Sequence, residues 1–162
     1  MTCLVGLVDN GKVYLGGDSA ASVDLAIEVR ANRKVFRNGE YLIGFTGSFR
    51  VGQLLQYEVN MPPPVGDILG HIVGAVVPQI KAAAGKETDE IMIGVAGRLF
   101  KISSDYSVAE YTDYAAAGGG EPYALGRMHG SLGAPEQRVV AALAAAEAHC
   151  AAVRAPFVVE VA

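Results

Sequence analysis

Asn-Gly occurs twice in the first 40 residues, at Asn10-Gly11 and Asn38-Gly39, each time between short apolar runs. The dipeptide accepts the positive φ angles of a tight type I′ turn, so each occurrence marks a β-hairpin. The first joins Cys3–Val8 to Lys12–Gly17, and a two-residue loop fixes the register. If Asp9 faces Lys12, then Cys3 faces Asp18 and Thr2 faces Ser19, which holds the start of the chain beside an aspartate. The second joins Arg33–Phe36 to Tyr41–Phe45, and the same geometry places Lys34 opposite Ile43, near Thr46-Gly47-Ser48.

From Ser48 the apolar period changes from two to about 3.6. Val51, Leu54, Leu55 and Val59 form a helical stripe with Ser48 as its N-cap, and Pro62–Pro64 stop it. A second helix is predicted over 65–84, kinked at Pro78. Strands follow at 90–95, 98–103 and about 107–117, then helices at 121–130 and 135–153, and a last strand at 157–161. The order ββββ, αα, βββ, αα, β lacks the strand–helix alternation of a doubly wound sheet. Paired helices between runs of strands imply an α+β body of two sheets with helices outside, layered α/β/β/α.

A chain of 162 residues, 51% hydrophobic and 19% charged, is the size of one domain, 1–162. A net charge of −4 with no Lys/Arg tract excludes a protein that coats nucleic acid or anionic lipid. No apolar run approaches the roughly 18 residues that span a bilayer. Two cysteines, Cys3 and Cys150, make no disulfide framework, and a reducing, cytoplasmic setting is expected. Both are expected in the core, Cys3 on the strand face opposite to Thr2. His71, His129 and His149 are scattered without partners at ligand spacing, so no metal site is expected. Gly118–Gly120 lacks the Gly-Lys-Ser/Thr ending of a phosphate loop, and no cofactor is expected.

The chemistry lies at the N-terminus. A small side chain at position 2 permits aminopeptidase removal of Met1, which would leave Thr2 with a free α-amine whose pKa is about 7.7–8.0. That amine can accept the proton of the Thr2 hydroxyl, so nucleophile and base share one residue. Asp18 sits beside it by the hairpin register. Lys34 approaches from the second hairpin, where its charge favours the unprotonated amine. The backbone N–H of Gly47 is the candidate oxyanion donor. Arg33, by strand alternation, faces the opposite side from Lys34.

At these residues the chain resembles the proteasome β-subunit family, including the bacterial HslV-type peptidases, within the N-terminal nucleophile hydrolases. That family has a threonine at its mature N-terminus, Gly/Ala-Asp sixteen residues later and a lysine thirty-two residues after the threonine, matched here by Thr2, Gly17-Asp18 and Lys34. Thr46-Gly47-Ser48 resembles the stretch that supplies the oxyanion amide, and Ser22 the residue whose backbone pairs with bound peptide. Gly118-Gly119-Gly120-Glu121-Pro122-Tyr123-Ala124 resembles the family's Gly-Ser-Gly-Gly-x-Tyr-Ala segment. The short leader, Met1 alone, looks more like HslV-type subunits than like those with long propeptides.

The resemblance implies a four-layer sandwich and a threonine endopeptidase working as a homo-oligomeric ring on unfolded polypeptide, fed by an ATP-driven unfoldase. Phe45 and Phe49 are expected to line the pocket for the residue before the cut, favouring apolar side chains. The sequence departs from the family at three supporting positions: Gly119 stands for a serine, and His149 and Ala152 for an aspartate and a serine. Two other readings stay open. One is a catalytically silent ring or scaffold subunit; the other is an N-terminal nucleophile amidase acting on a small amide.

Overall fold

The computed structural model describes residues 2–23, 26–86 and 88–162. Strands β1 (Leu4–Asp9) and β2 (Lys12–Gly17) form the first hairpin, with Asp9 opposite Lys12 and Leu4 opposite Gly17. Its turn has φ 48° at Asn10 and 73° at Gly11, as a type I′ turn requires. The expected register continues past the strands, where the Asp18 N–H donates to the Cys3 carbonyl at 3.2 Å.

A third hairpin follows that the sequence reading did not anticipate: β3 (Ala20–Val23) and β4 (Ala26–Val29), with Ser22 opposite Ile27. No glycine separates these short runs, so the turn signature used for the others is missing.

The second Asn-Gly hairpin differs from expectation. β5 (Val35–Asn38) and β6 (Tyr41–Phe45) pair Asn38 with Tyr41 and Val35 with Gly44. The loop is therefore Gly39-Glu40, with positive φ (58°) at Gly39 only; a leading glycine suits a type II′ turn. Asn38 stays in the strand because its side-chain amide donates to the carbonyls of Leu55 and Val59, at 2.7 and 2.8 Å. The two-residue slip keeps every side chain on its face. It places Lys34 opposite Phe45 rather than Ile43, with the Phe45 N–H donating to the Lys34 carbonyl at 3.1 Å.

β7 (Ile91–Val95) and β8 (Arg98–Ile102) turn at Ala96-Gly97. The single strand expected at 107–117 is two: β9 (Val108–Tyr111) pairs with β8, and β10 (Tyr114–Ala117) pairs with β1 in the other sheet. Alternation reads the same in both cases, because only the pairing partner changes. With β11 (Val158–Val161) on β2, the sheets run β10-β1-β2-β11 and β5-β6-β7-β8-β9.

Helix α1 (Phe49–Tyr57) begins at Ser48, whose hydroxyl accepts from the Val51 N–H at 3.3 Å. The helix predicted over 65–84 starts later, as α2 (Ile68–His71), passes through a π-helical turn at Ile72–Val76 and continues as α3 (Val77–Ala84). Pro78 has no N–H for the Gly74 carbonyl and crowds it, and the wider turn just upstream absorbs that mismatch. α4 (Glu121–Met128) and α5 (Pro135–His149) complete the chain, α5 stopping short of the expected Val153.

Alternate residues of β1 face opposite ways. Leu4 joins Leu15, Leu42, Met92 and Leu99 between the sheets, while Val5 and Leu7 pack with Val139 and Leu143 of α5. On the far side, Ile43, Phe45 and Phe100 pack against Leu55, Ile72 and Ile80. The result is a four-layer α/β/β/α sandwich, as the order of strands and helix pairs implied.

Candidate active site

Thr2 precedes β1 and lies 2% exposed. It lines a cavity of about 280 Å³ together with Thr46, Gly47, Asp89, Glu90, Ser104, Gly118 and Gly119. Among the described residues no hydrogen bond joins its hydroxyl to a neighbour. Met1, and with it the expected processing, lies outside the described residues.

Asp18 follows β2 and is likewise 2% exposed. Its Oδ1 accepts from the Cys3 N–H at 3.0 Å and from Lys34 Nζ at 2.8 Å. Its Oδ2 accepts from the backbone N–H groups of Ala20 at 3.0 Å and Arg154 at 3.2 Å. One carboxylate thus ties together the strand carrying Thr2, the end of β2, the approach to β5 and the segment after α5. Both members of the Asp18–Lys34 ion pair are buried. Burial pulls the Lys34 ammonium below its ordinary pKa, and the attraction and hydrogen bond of Asp18 oppose that shift. Its neighbour Arg33 points outward to Glu160, at 2.9 Å.

Gly47 occupies the left-handed region (φ 67°) between β6 and α1, and the Asp89 carboxylate lies against its Cα, where a side chain would collide. Gly118 (φ 86°) is pressed against the Thr2 carbonyl in the same way. That carbonyl accepts from the Gly120 N–H at 3.2 Å, and the Gly118 N–H donates to Glu90 at 2.9 Å. Glu90 in turn meets Lys101 at 3.3 Å, and Lys101 also meets Glu121 at 3.1 Å. The glycine segment is therefore held to Thr2 on one side and to an ion network on the other.

The structure brings Thr2 and Gly47 onto one cavity, with Asp18 and Lys34 joined to it through Cys3. The other expected site residues lie apart from that cavity. Phe45 is 3% exposed and packs edge-on against Phe49, ring centroids 5.6 Å apart. Phe49 is half-buried, with the Arg30 guanidinium 4.6 Å from its ring centre. Neither ring lines the cavity at Thr2, so that cavity is not the apolar pocket expected of them. Ser22 sits on the β3–β4 hairpin. His149 stacks against Tyr123 with ring centroids 5.6 Å apart, and Ala152 is buried.

Sequence reasoning missed Asp89, Glu90 and Ser104. Asp89 and Glu90 immediately precede β7, and pairing of Phe45 with Ile91 carries them to Thr46. The Thr46 N–H and hydroxyl both donate to the Glu90 carbonyl, each at 3.0 Å. The signal was present only as two adjacent acids before a strand whose partner was not known.

Cys3, next to Thr2, is fully buried toward α5. Burial, reinforced by the negative charge of Asp18, pushes its thiol up to about 12. Iodoacetamide at pH 8 is expected to leave Cys3 unmodified in the folded protein and to label it after denaturation, as read by peptide mass mapping. Rapid labelling of Cys3 in the folded protein would show that the N-terminal strand opens readily.

The sandwich defines the class, the fold of HslV-like and proteasome-like peptidase structures. The particular likenesses are to BPH from Thiobacillus denitrificans in complex with epoxomicin (TM-score 0.86, 21% identity, 99% of this chain and 97% of that one) and to BPH alone (0.84, 20%, the same coverage). A eukaryotic HslV from Trypanosoma brucei matches at 0.77 with 18% identity, covering 98% of each chain. No protein-family model and no curated protein matches the sequence. The likeness is therefore one of fold.

Proposed function

We propose that the chain is a threonine endopeptidase subunit, one peptidase domain over 1–162, whose nucleophile is Thr2 after removal of Met1. The observation that carries this reading is Thr2 lining a cavity with Gly47, with the buried Asp18–Lys34 pair anchored one residue away.

The Thr2 amine, acting through a water, takes the hydroxyl proton while Oγ attacks the scissile carbonyl. The new C–O bond gives a tetrahedral oxyanion, which the Gly47 N–H stabilises. Collapse breaks the C–N bond, and the proton held by the Thr2 amine leaves with the departing peptide amine. Water then hydrolyses the ester by the reverse proton path. Lys34 keeps the Thr2 amine unprotonated by its positive charge, and Asp18 fixes Lys34. The backbone at Ser22 offers pairing groups to an extended substrate.

The same reading makes the working form a homo-oligomeric cytoplasmic ring that receives unfolded polypeptide from an ATP-driven unfoldase. Leu132 at 93% exposure, Val65 at 64% and Val73 at 52% are apolar side chains that subunit contacts would cover. The silent-subunit reading has its own support, since Gly119 offers no hydroxyl and the Asp89 carboxylate lies beside Gly47, where an oxyanion would form.

Intact mass before and after exposure to a peptide epoxyketone decides between them. The reagent closes a ring on the amine and hydroxyl of an N-terminal threonine. Loss of the Met1 mass and one adduct per subunit are expected, with no adduct in Thr2→Ala. Retained Met1, or a processed chain that forms no adduct, would favour the silent subunit.

A further inference from the structure

We propose that the substrate of this site carries a cationic side chain, lysine or arginine, beside the bond that is cut, and that Asp89 recognises it. The inference rests on the threonine peptidase reading and deepens it. Among the described residues the cavity at Thr2 is lined by two carboxylates, Asp89 and Glu90, and by no basic side chain. Glu90 shares Lys101 with Glu121, and Lys34 is committed to Asp18. Among the described residues Asp89 has neither an ion pair nor a hydrogen bond, although it is the acid pressed against Gly47.

The cavity is therefore electronegative at the point where attack by Thr2 creates a second negative charge. An oxyanion at the Gly47 N–H would be repelled by Asp89 unless a cation neutralises that carboxylate. A lysine or arginine of the substrate supplies the cation and does so only when seated next to the scissile carbonyl. Asp89 thus acts against neutral and acidic peptides by repulsion and in favour of basic ones by attraction, and specificity uses both. Because the benefit grows as the oxyanion forms, it appears in kcat more than in KM.

The test is turnover of a fluorogenic peptide panel that varies the residues on both sides of the cut, using the full processed protein. Peptides with lysine or arginine are expected to exceed apolar ones in kcat/KM by roughly tenfold or more, and acidic ones by a larger factor. Asp89→Asn should collapse that ratio, Asp89→Glu should retain it, and Asp89→Lys should shift preference toward acidic peptides. Asp89 is exposed and unpartnered, so these variants retain the fold, checked by their denaturation midpoints. Equal cleavage of basic and apolar peptides, or a basic preference that survives Asp89→Asn, would overturn the proposal. Epoxyketone adducts measured on the same samples separate the two failures. An adduct without basic preference refutes only the role of Asp89, whereas no adduct refutes the peptidase reading and this inference with it.

Discussion

Asp18→Ala should lower stability by about 3–5 kcal/mol, the range for breaking a buried ion pair from one side. The change removes the acceptor for four donors at once: the N–H groups of Cys3, Ala20 and Arg154 and the ammonium of Lys34. Three backbone donors lose a partner, and a lysine that is 2% exposed loses its counter-ion. Each unsatisfied buried group costs about 1–3 kcal/mol, so the total is large even if water reaches some of them. Lys34→Met should cost less, because Asp18 would retain its three backbone donors. Combining it with Asp18→Ala should cost less than the sum of the two, because the orphaned ammonium is then gone. Guanidinium denaturation midpoints of the three variants measure this ordering. A loss below about 1 kcal/mol for Asp18→Ala would mean that the pair contributes little and that Lys34 escapes to solvent.

Gly118→Ala should damage reactivity through a single added methyl. Its φ of 86° is one that side-chain-bearing residues rarely adopt, and the added Cβ would run into the Thr2 carbonyl. The strain alone is of order 1–3 kcal/mol. The collision adds a displacement of Thr2, the proposed nucleophile, and about 1 Å of misplacement can cost a factor of roughly a hundred in rate. Adduct formation with the epoxyketone is expected to slow by about that factor while the protein stays folded. Gly126→Ala is the matched control, since Gly126 lies inside α4 with open space where the methyl would go. There the exchange should leave adduct formation unchanged and gain roughly 0.5–1 kcal/mol. Equal reaction rates in the two variants would show that the glycine segment does not position Thr2.

What could be read in advance tracks how local each signal is. The first hairpin was legible to the residue because Asn10-Gly11 sets its register without help from the rest of the chain. That register already joined Cys3 to Asp18. The second was misread by two residues because Asn38 is recruited by the carbonyls of Leu55 in α1 and of Val59 just beyond it, 17 and 21 residues away, a demand that no window around the turn reveals. Lys34 nevertheless kept its face, since a slip of two preserves alternation. Asp89 and Glu90 were invisible for a different reason. They reach Thr46 only through the pairing of β6 with β7 across an excursion of some 45 residues, and loop closure on that scale leaves no local pattern. The strand expected at 107–117 failed likewise, because a crossing between two sheets does not interrupt alternation.

The donors around Asp18 have one more consequence, which concerns time rather than space. Arg154 supplies one of the four, and β11 at Val158–Val161 closes the edge of the sheet beside β2. Ser19, next to Asp18, is held there too, its hydroxyl donating to the Pro156 carbonyl at 2.6 Å and its N–H to the Arg154 carbonyl at 2.9 Å. The groundwork beneath Thr2 is therefore shared between residues 2–20 and residues 154–161, which emerge far apart during synthesis. A nascent chain that has made residues 2–20 still lacks the backbone N–H of Arg154 that helps seat Asp18. The buried pair beside Thr2 is thus completed only once residues 154–161 have been made, so the setting that the proposed nucleophile requires forms late.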